Sequence, residues 1–208
     1  MAHREYSERR MEKFWTGDGA NLAEAFLTAK EMPEVYQRLQ ENMAAVNQRF
    51  GKPLNFNVGG YDKNSRIVIM GSTVIRGVPN VVVVVPNLIN MDDALRKSGY
   101  EKDVLFVSMV VDIIHELDHL RYNSPPDCFE SRKPFSAEEA IARESEAWDY
   151  TCRYTISVVV EKYGRVVNPN HADIYRHWLN CRRGENIAEW QAGIRRVYAP
   201  AYKAAHLE

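Results

Sequence analysis

The spacing of apolar positions along the chain changes twice. Between residues 20 and 50, Leu22, Ala25, Phe26 and Ala29 recur at helical intervals, which predicts one helix or two helices broken at Pro33. Gly51-Lys52-Pro53 then supplies the usual stop, a glycine cap followed by a residue that cannot continue a helix. From 55 to 86 the pattern shortens to alternation and short apolar runs. NFNVGGY (55–61), RIVIMGSTVIRG (66–77) and NVVVVVP (80–86) each read as a strand. Turn signals at Asp62-Lys63-Asn64 and at Gly77-Val78-Pro79-Asn80 join them into an expected antiparallel meander.

From about Glu101 the pattern becomes helical and stays so. A first helix covers roughly 102–122 and ends at Asn123-Ser124-Pro125-Pro126. Ser136 and Glu139 form a capping box, and the helix they open runs to about Tyr163, with Gly164 as its stop. Two shorter helices, near 170–182 and 185–197, complete the chain. Strands first and helices afterward predict an α+β fold: an N-terminal helix and small antiparallel sheet, then a helical half. We expect a single domain over 1–208, with its sheet-containing part at about 51–100, central helices at 101–164 and C-terminal helices at 165–200.

Composition narrows the function classes. The chain has 208 residues, 45% hydrophobic and 26% charged, with a net charge of −1, so no basic face announces a nucleic acid or an anionic membrane as partner. The start, MAHREYSERRMEKFW, lacks the apolar segment of a secretory signal, and no window approaches the ~20 apolar residues that span a bilayer. Cys128, Cys152 and Cys181 are odd in number, widely spaced and without a CxxC pair, which predicts reduced thiols. Together these features lead us to expect a cytoplasmic protein.

The candidate chemistry lies in VVDIIHELDHLRYNSPP (110–126). His115 and His119 are about 40° apart on a helix and one turn along its axis, so both imidazoles can reach one metal ion. Glu116 sits on the flank of the same stripe, where it can reach a metal-activated water without being a ligand. Phe106, Val110, Ile113, Leu117 and Leu120 make one apolar face, and Val107, Val111 and Ile114 extend it. What remains is a narrow polar stripe of Asp112, His115, Glu116, His119 and Asn123. A helix apolar nearly all round is buried, and buried polar groups need partners. A metal ion would satisfy both histidines together; two hydrogen-bonded core histidines are the plainer alternative.

Catalytic zinc takes three protein ligands. The extended motif HExxHxxGxxH is excluded, because Tyr122 and Pro125 stand where its glycine and third histidine would be. A glutamate from the next predicted helix remains, either Glu144 or Glu146. Helical projection separates them. Glu144 falls at the edge of the apolar face of Ile141, Trp148, Cys152, Thr155 and Val159, whereas Glu146 falls about 160° from Trp148, with Glu139, Arg143, Tyr150 and Arg153. A carboxylate on an apolar face is costly unless paired, which favours Glu144 as third ligand. The competing reading places Glu144 at a helix border, partly exposed or paired with an arginine.

With HELDH at 115–119 and RESEAW at 143–148, the chain resembles the zincin metallopeptidases, specifically their glutamate-ligand (gluzincin-type) branch. RESEAW is similar to that branch's ExxA-type ligand helix, and residues 55–86 could supply the small sheet its members place ahead of the active-site helix. The likeness covers about half the chain. It departs from the family at Trp148, where many relatives carry an aspartate that orients a zinc-bound histidine; Asp149 or Asp112 could substitute.

The resemblance implies one Zn²⁺ per chain held by His115, His119 and Glu144, with Glu116 as general base in hydrolysis of a peptide or protein substrate. It also implies a downstream histidine or tyrosine beside the oxyanion, for which His171, His177, Tyr163, Tyr175 and Tyr122 are candidates. Two rival readings stand beside it: a non-catalytic, zinc-stabilised module that binds a peptide or protein, and a metal-free helical interaction protein.

Overall fold

The computed structural model describes residues 20–58, 69–84, 102–123 and 136–204. The expected N-terminal helix is two helices, α1 (Ala20–Lys30) and α2 (Pro33–Phe50), broken at Pro33. Proline cannot donate the hydrogen bond that a continuous helix needs there, but its fixed φ suits the first turn of a new one. Gly51 ends α2 at φ 60°, a left-handed conformation that costs glycine nothing. Val35, Leu39 and Val46 are buried along α2, and so is the polar Asn42.

The sheet corrects the expected meander. It contains β1 (Asn55–Val58), β2 (Ile69–Ile75) and β3 (Val78–Val84), in the spatial order β1-β3-β2. β2 and β3 form an antiparallel hairpin, but β1 pairs with β3 in parallel, so the sheet is mixed. The hairpin turns at Arg76-Gly77, two residues earlier than the turn signal suggested. Both residues have positive φ, 51° and 71°, as the tight two-residue turn matching strand twist requires. Pro79 therefore lies inside β3 rather than in the turn. It is tolerated because β1 pairs with β3 only from Asn80 onward, leaving the proline one neighbouring strand. The turn signal at 62–64 lies outside the described residues.

The central element is α3 (Lys102–Asp118), which continues through a wider, π-helical turn at His119–Asn123. Phe106, Val107, Met109, Val110, Val111, Ile113, Ile114 and Leu117 are all buried, as the near-continuous apolar pattern predicts. α1, α2, the sheet and the next helix all pack around it. That next helix, α4 (Ala137–Thr151), starts at the expected capping box. The Ser136 hydroxyl accepts from the Glu139 amide at 3.2 Å while the Glu139 carboxylate accepts from the Ser136 amide at 2.9 Å. Two π-helical turns, Cys152–Ile156 and Val158–Lys162, carry it on toward Gly164.

The expected C-terminal pair is α5 (Pro169–Asn180) and α6 (Ile187–Ala204). Asn168 caps α5 by accepting from the His171 amide at 2.9 Å, and its own amide donates to Ser108 on α3. α6 packs along α4, where Trp190 Nε1 donates to the Ser145 carbonyl at 2.8 Å. The result is a mostly helical α+β arrangement with α3 at its centre. Among the described residues, no helix is long and apolar enough to cross a membrane. Cys152 and Cys181 are buried free thiols, and burial pushes both pKa values up.

Candidate metal centre

α3 and α4 lie side by side and bring together His115, His119 and Glu144. His119 Nε2 lies 3.1 Å from His115 Nε2, and Glu144 Oε2 lies 3.3 Å from His115 Nε2 and 3.4 Å from His119 Nε2. His115 is almost wholly buried, and the Glu144 side chain is 19% exposed. Glu146 is exposed and takes no part. The faces of α4 fall as projected: Ile141, Trp148, Cys152, Thr155 and Val159 are buried, and Glu139 and Arg153 are exposed.

These three ligand atoms could hold a metal ion. A zinc ion about 2.0–2.2 Å from each of three tetrahedral donors would set those donors roughly 3.3–3.6 Å apart, close to the separations found here. Two imidazole nitrogens and one carboxylate oxygen are also one of the donor sets that catalytic zinc takes. The electrostatics fit the same picture. Burial works to raise the pKa of Glu144, but its hydrogen bonds to His115 and His119 outweigh that and hold it well below the usual carboxylate range. For His119, burial disfavours the charged form, yet the hydrogen bond and charge of Glu144 hold its pKa above the ordinary value.

Trp148 lies four residues after Glu144 on α4. Here it stacks on the His115 ring, centroids 4.0 Å apart and 24° from parallel, so ring orientation is set by packing. Neither proposed substitute reaches a histidine of the triad. Asp112 pairs with His171 Nε2 at 2.8 Å, and Asp149 accepts from Trp178 Nε1 at 2.6 Å. The group facing His115 Nδ1 is instead the Thr151 hydroxyl, at 3.4 Å, and Thr151 in turn faces Asp118.

Glu116 is half-buried beside the triad, near enough for its charge to act on both His119 and Tyr198. The five suggested oxyanion donors are engaged elsewhere. Tyr163 donates to Glu34, Tyr175 to Glu161, and His171 pairs with Asp112. His177 contacts Cys181 and the Glu189 carbonyl, and Tyr122 stacks on Tyr150 at 4.2 Å.

The hydroxyl that does reach the site is Tyr198, on α6. Trp148 Nε1 donates to its oxygen at 2.6 Å, and it is hydrogen-bonded to Glu144. Burial, reinforced by the Glu144 charge, pushes the Tyr198 pKa well above its ordinary value, so the phenol keeps its proton. Its helix position alone carried no sign of this. Tyr198 lies beyond the expected end of the last helix, 50 residues from its tryptophan partner.

No protein-family model matches the chain, and neither a curated protein nor a solved structure matches it.

Proposed function

We propose that this protein is a zinc-dependent peptidase that hydrolyses a peptide bond in a peptide or protein substrate. The observation that carries the reading is the convergence of His115 Nε2, His119 Nε2 and Glu144 Oε2, all mutually within 3.1–3.4 Å, with Glu116 beside them. His115, His119 and Glu144 hold the ion. When bound, Zn²⁺ supplies a Lewis acid for the substrate carbonyl and brings the pKa of water toward neutrality.

The remaining roles belong to the chain. Glu116 accepts the proton of the attacking water and delivers it to the departing amine, a proton transfer worth roughly 10²–10⁴ in rate. Tyr198, still protonated, donates its one hydrogen bond to Glu144 and so holds the ligand carboxylate in place. Trp148 holds Tyr198 from one side and the His115 ring from the other. This work requires no nucleic acid and no membrane, and the cytoplasm is its proposed compartment.

The test is zinc content by elemental mass spectrometry together with turnover of a mixed peptide library. Wild type should bind about one zinc per chain and cleave. Glu116→Gln should keep its zinc and lose turnover by roughly 10²–10⁴-fold. Full activity in that variant ends the assignment of Glu116. Zinc without turnover in wild type leaves a zinc-stabilised binding module, and absence of zinc after reconstitution ends the metal reading.

A further inference from the structure

Asp118, the fourth residue of HELDH, is fully buried, although it belongs to neither the metal triad nor an exposed face. Removing a carboxylate from water costs several kcal/mol after relaxation, so its neighbours must offset that cost. They act against it from α2 and α4, although burial still leaves the Asp118 pKa above its ordinary value. Asp118 Oδ1 accepts from Arg38 Nη2 at 2.7 Å and from Asn42 Nδ2 at 2.8 Å. Its other oxygen, Oδ2, faces Thr151 Oγ1 at 3.3 Å. Arg121, in the π-helical turn after His119, closes the cluster by donating to Asn42 Oδ1 at 2.7 Å.

Thr151 joins this cluster to the metal triad. Its hydroxyl carries one proton, which can go to Asp118 Oδ2 at 3.3 Å or to the Ala147 carbonyl at 2.8 Å. Donation to Asp118, which gives the buried carboxylate oxygen its donor, leaves a lone pair for the neighbour on the other side, His115 Nδ1 at 3.4 Å. An acceptor there favours the tautomer with its proton on Nδ1. That tautomer has its free lone pair on Nε2, the atom that faces His119 and Glu144.

We propose that Asp118, acting through Thr151, is the positioning residue that fixes the tautomer of His115 for metal binding. Arg38 and Asn42 keep the carboxylate in place, so α2, some 80 residues upstream, becomes part of the metal centre. This inference rests on the zinc reading above.

The experiment uses the full chain and measures zinc affinity by competition with a chromophoric chelator, plus the visible absorption of the Co²⁺-loaded protein. Thr151→Val keeps shape and removes the hydroxyl; Thr151→Ser restores it. Because Asp118→Asn alone would strand Arg38 in the interior, the second variant is Arg38→Gln with Asp118→Asn, which removes both charges together.

Thr151→Val and the charge-free pair should each weaken zinc binding by roughly 10–100-fold, the usual effect of losing an orienting partner. Each should also shift the Co²⁺ bands. Thr151→Ser should return to within about threefold of wild type. Combining Thr151→Val with the charge-free pair should weaken binding little further, because both act along one path.

Wild-type affinity and spectrum in both variants overturn this inference alone, as do losses that simply add. A wild-type protein that takes up neither Zn²⁺ nor Co²⁺ overturns it together with the metal reading.

Discussion

Two groups of buried polar side chains occupy the same stretch of α3 and meet the demands of burial in different ways. Around Asp118, charge and hydrogen bonds close on themselves: the carboxylate takes Arg38, Asn42 and Thr151, and Asn42 takes Arg121. Within that set Arg38 Nε is still buried without a partner. Around His115, His119 and Glu144 the same accounting leaves two ring nitrogens facing each other at 3.1 Å, with a carboxylate capping both. Two neutral imidazoles cannot both present lone pairs at that distance without a proton or a metal between them. The first group is a structural joint; the second has the form of a binding site. What distinguishes them is that the first is held by an ion pair with Arg38 of another helix, whereas the second sets three metal-competent ligand atoms within 3.4 Å of one another.

The sharpest way to break that contrast is to open the joint. Arg38→Met leaves the Asp118 carboxylate buried and unpaired, and should lower the unfolding free energy by about 3–5 kcal/mol. Urea unfolding should show this loss in metal-free protein. A loss below about 1 kcal/mol would mean that the Asp118 cluster is not a joint at all.

The next largest effect belongs to the binding site. Zinc held at 100 times its dissociation constant should raise the unfolding free energy by about 2.7 kcal/mol, and chelation should abolish the gain. Equal denaturation midpoints with and without zinc would count against the site. A smaller effect, independent of metal, is expected at the entrance to α4. Ser136→Ala removes the capping hydroxyl and should cost about 1 kcal/mol with or without zinc, leaving one zinc bound per chain. Dependence of that cost on zinc would show that the cap and the triad are coupled.

The smallest effect on the metal-free fold should come from the triad itself. Glu144→Ala should change metal-free stability by less than about 1 kcal/mol while removing the zinc-dependent gain, and Glu146→Ala should do neither. A large metal-free loss in Glu144→Ala would make the triad a second joint and erase the comparison.

Much of this arrangement was legible in local patterns. The spacing of Leu22, Phe26 and Ala29, the stop at Gly51, the box at Ser136 and Glu139, and the apolar face of α3 all follow from intervals of a few residues. Projection of α4 also separated a half-buried Glu144 from an exposed Glu146. The sheet was harder. Its strands were visible, but the turn at Arg76-Gly77 depends on backbone angles, and Arg76 is an unexpected residue at φ 51°. The parallel pairing of β1 with β3 depends on where the chain returns, which strand composition does not encode.

By itself, then, the sequence determined the helices, their buried faces and the His115, Glu116, His119 constellation, because helix geometry relates each residue to others one turn away. Only the tertiary structure decided which partners those faces meet. Asp118 and Asn42 are 76 residues apart, His115 and Thr151 are 36, and Trp148 and Tyr198 are 50. Such pairs are set by how whole helices dock, under the condition that each buried donor and acceptor finds a match. No local period carries that information, so the residues that orient a candidate metal centre became visible only once the helices were packed.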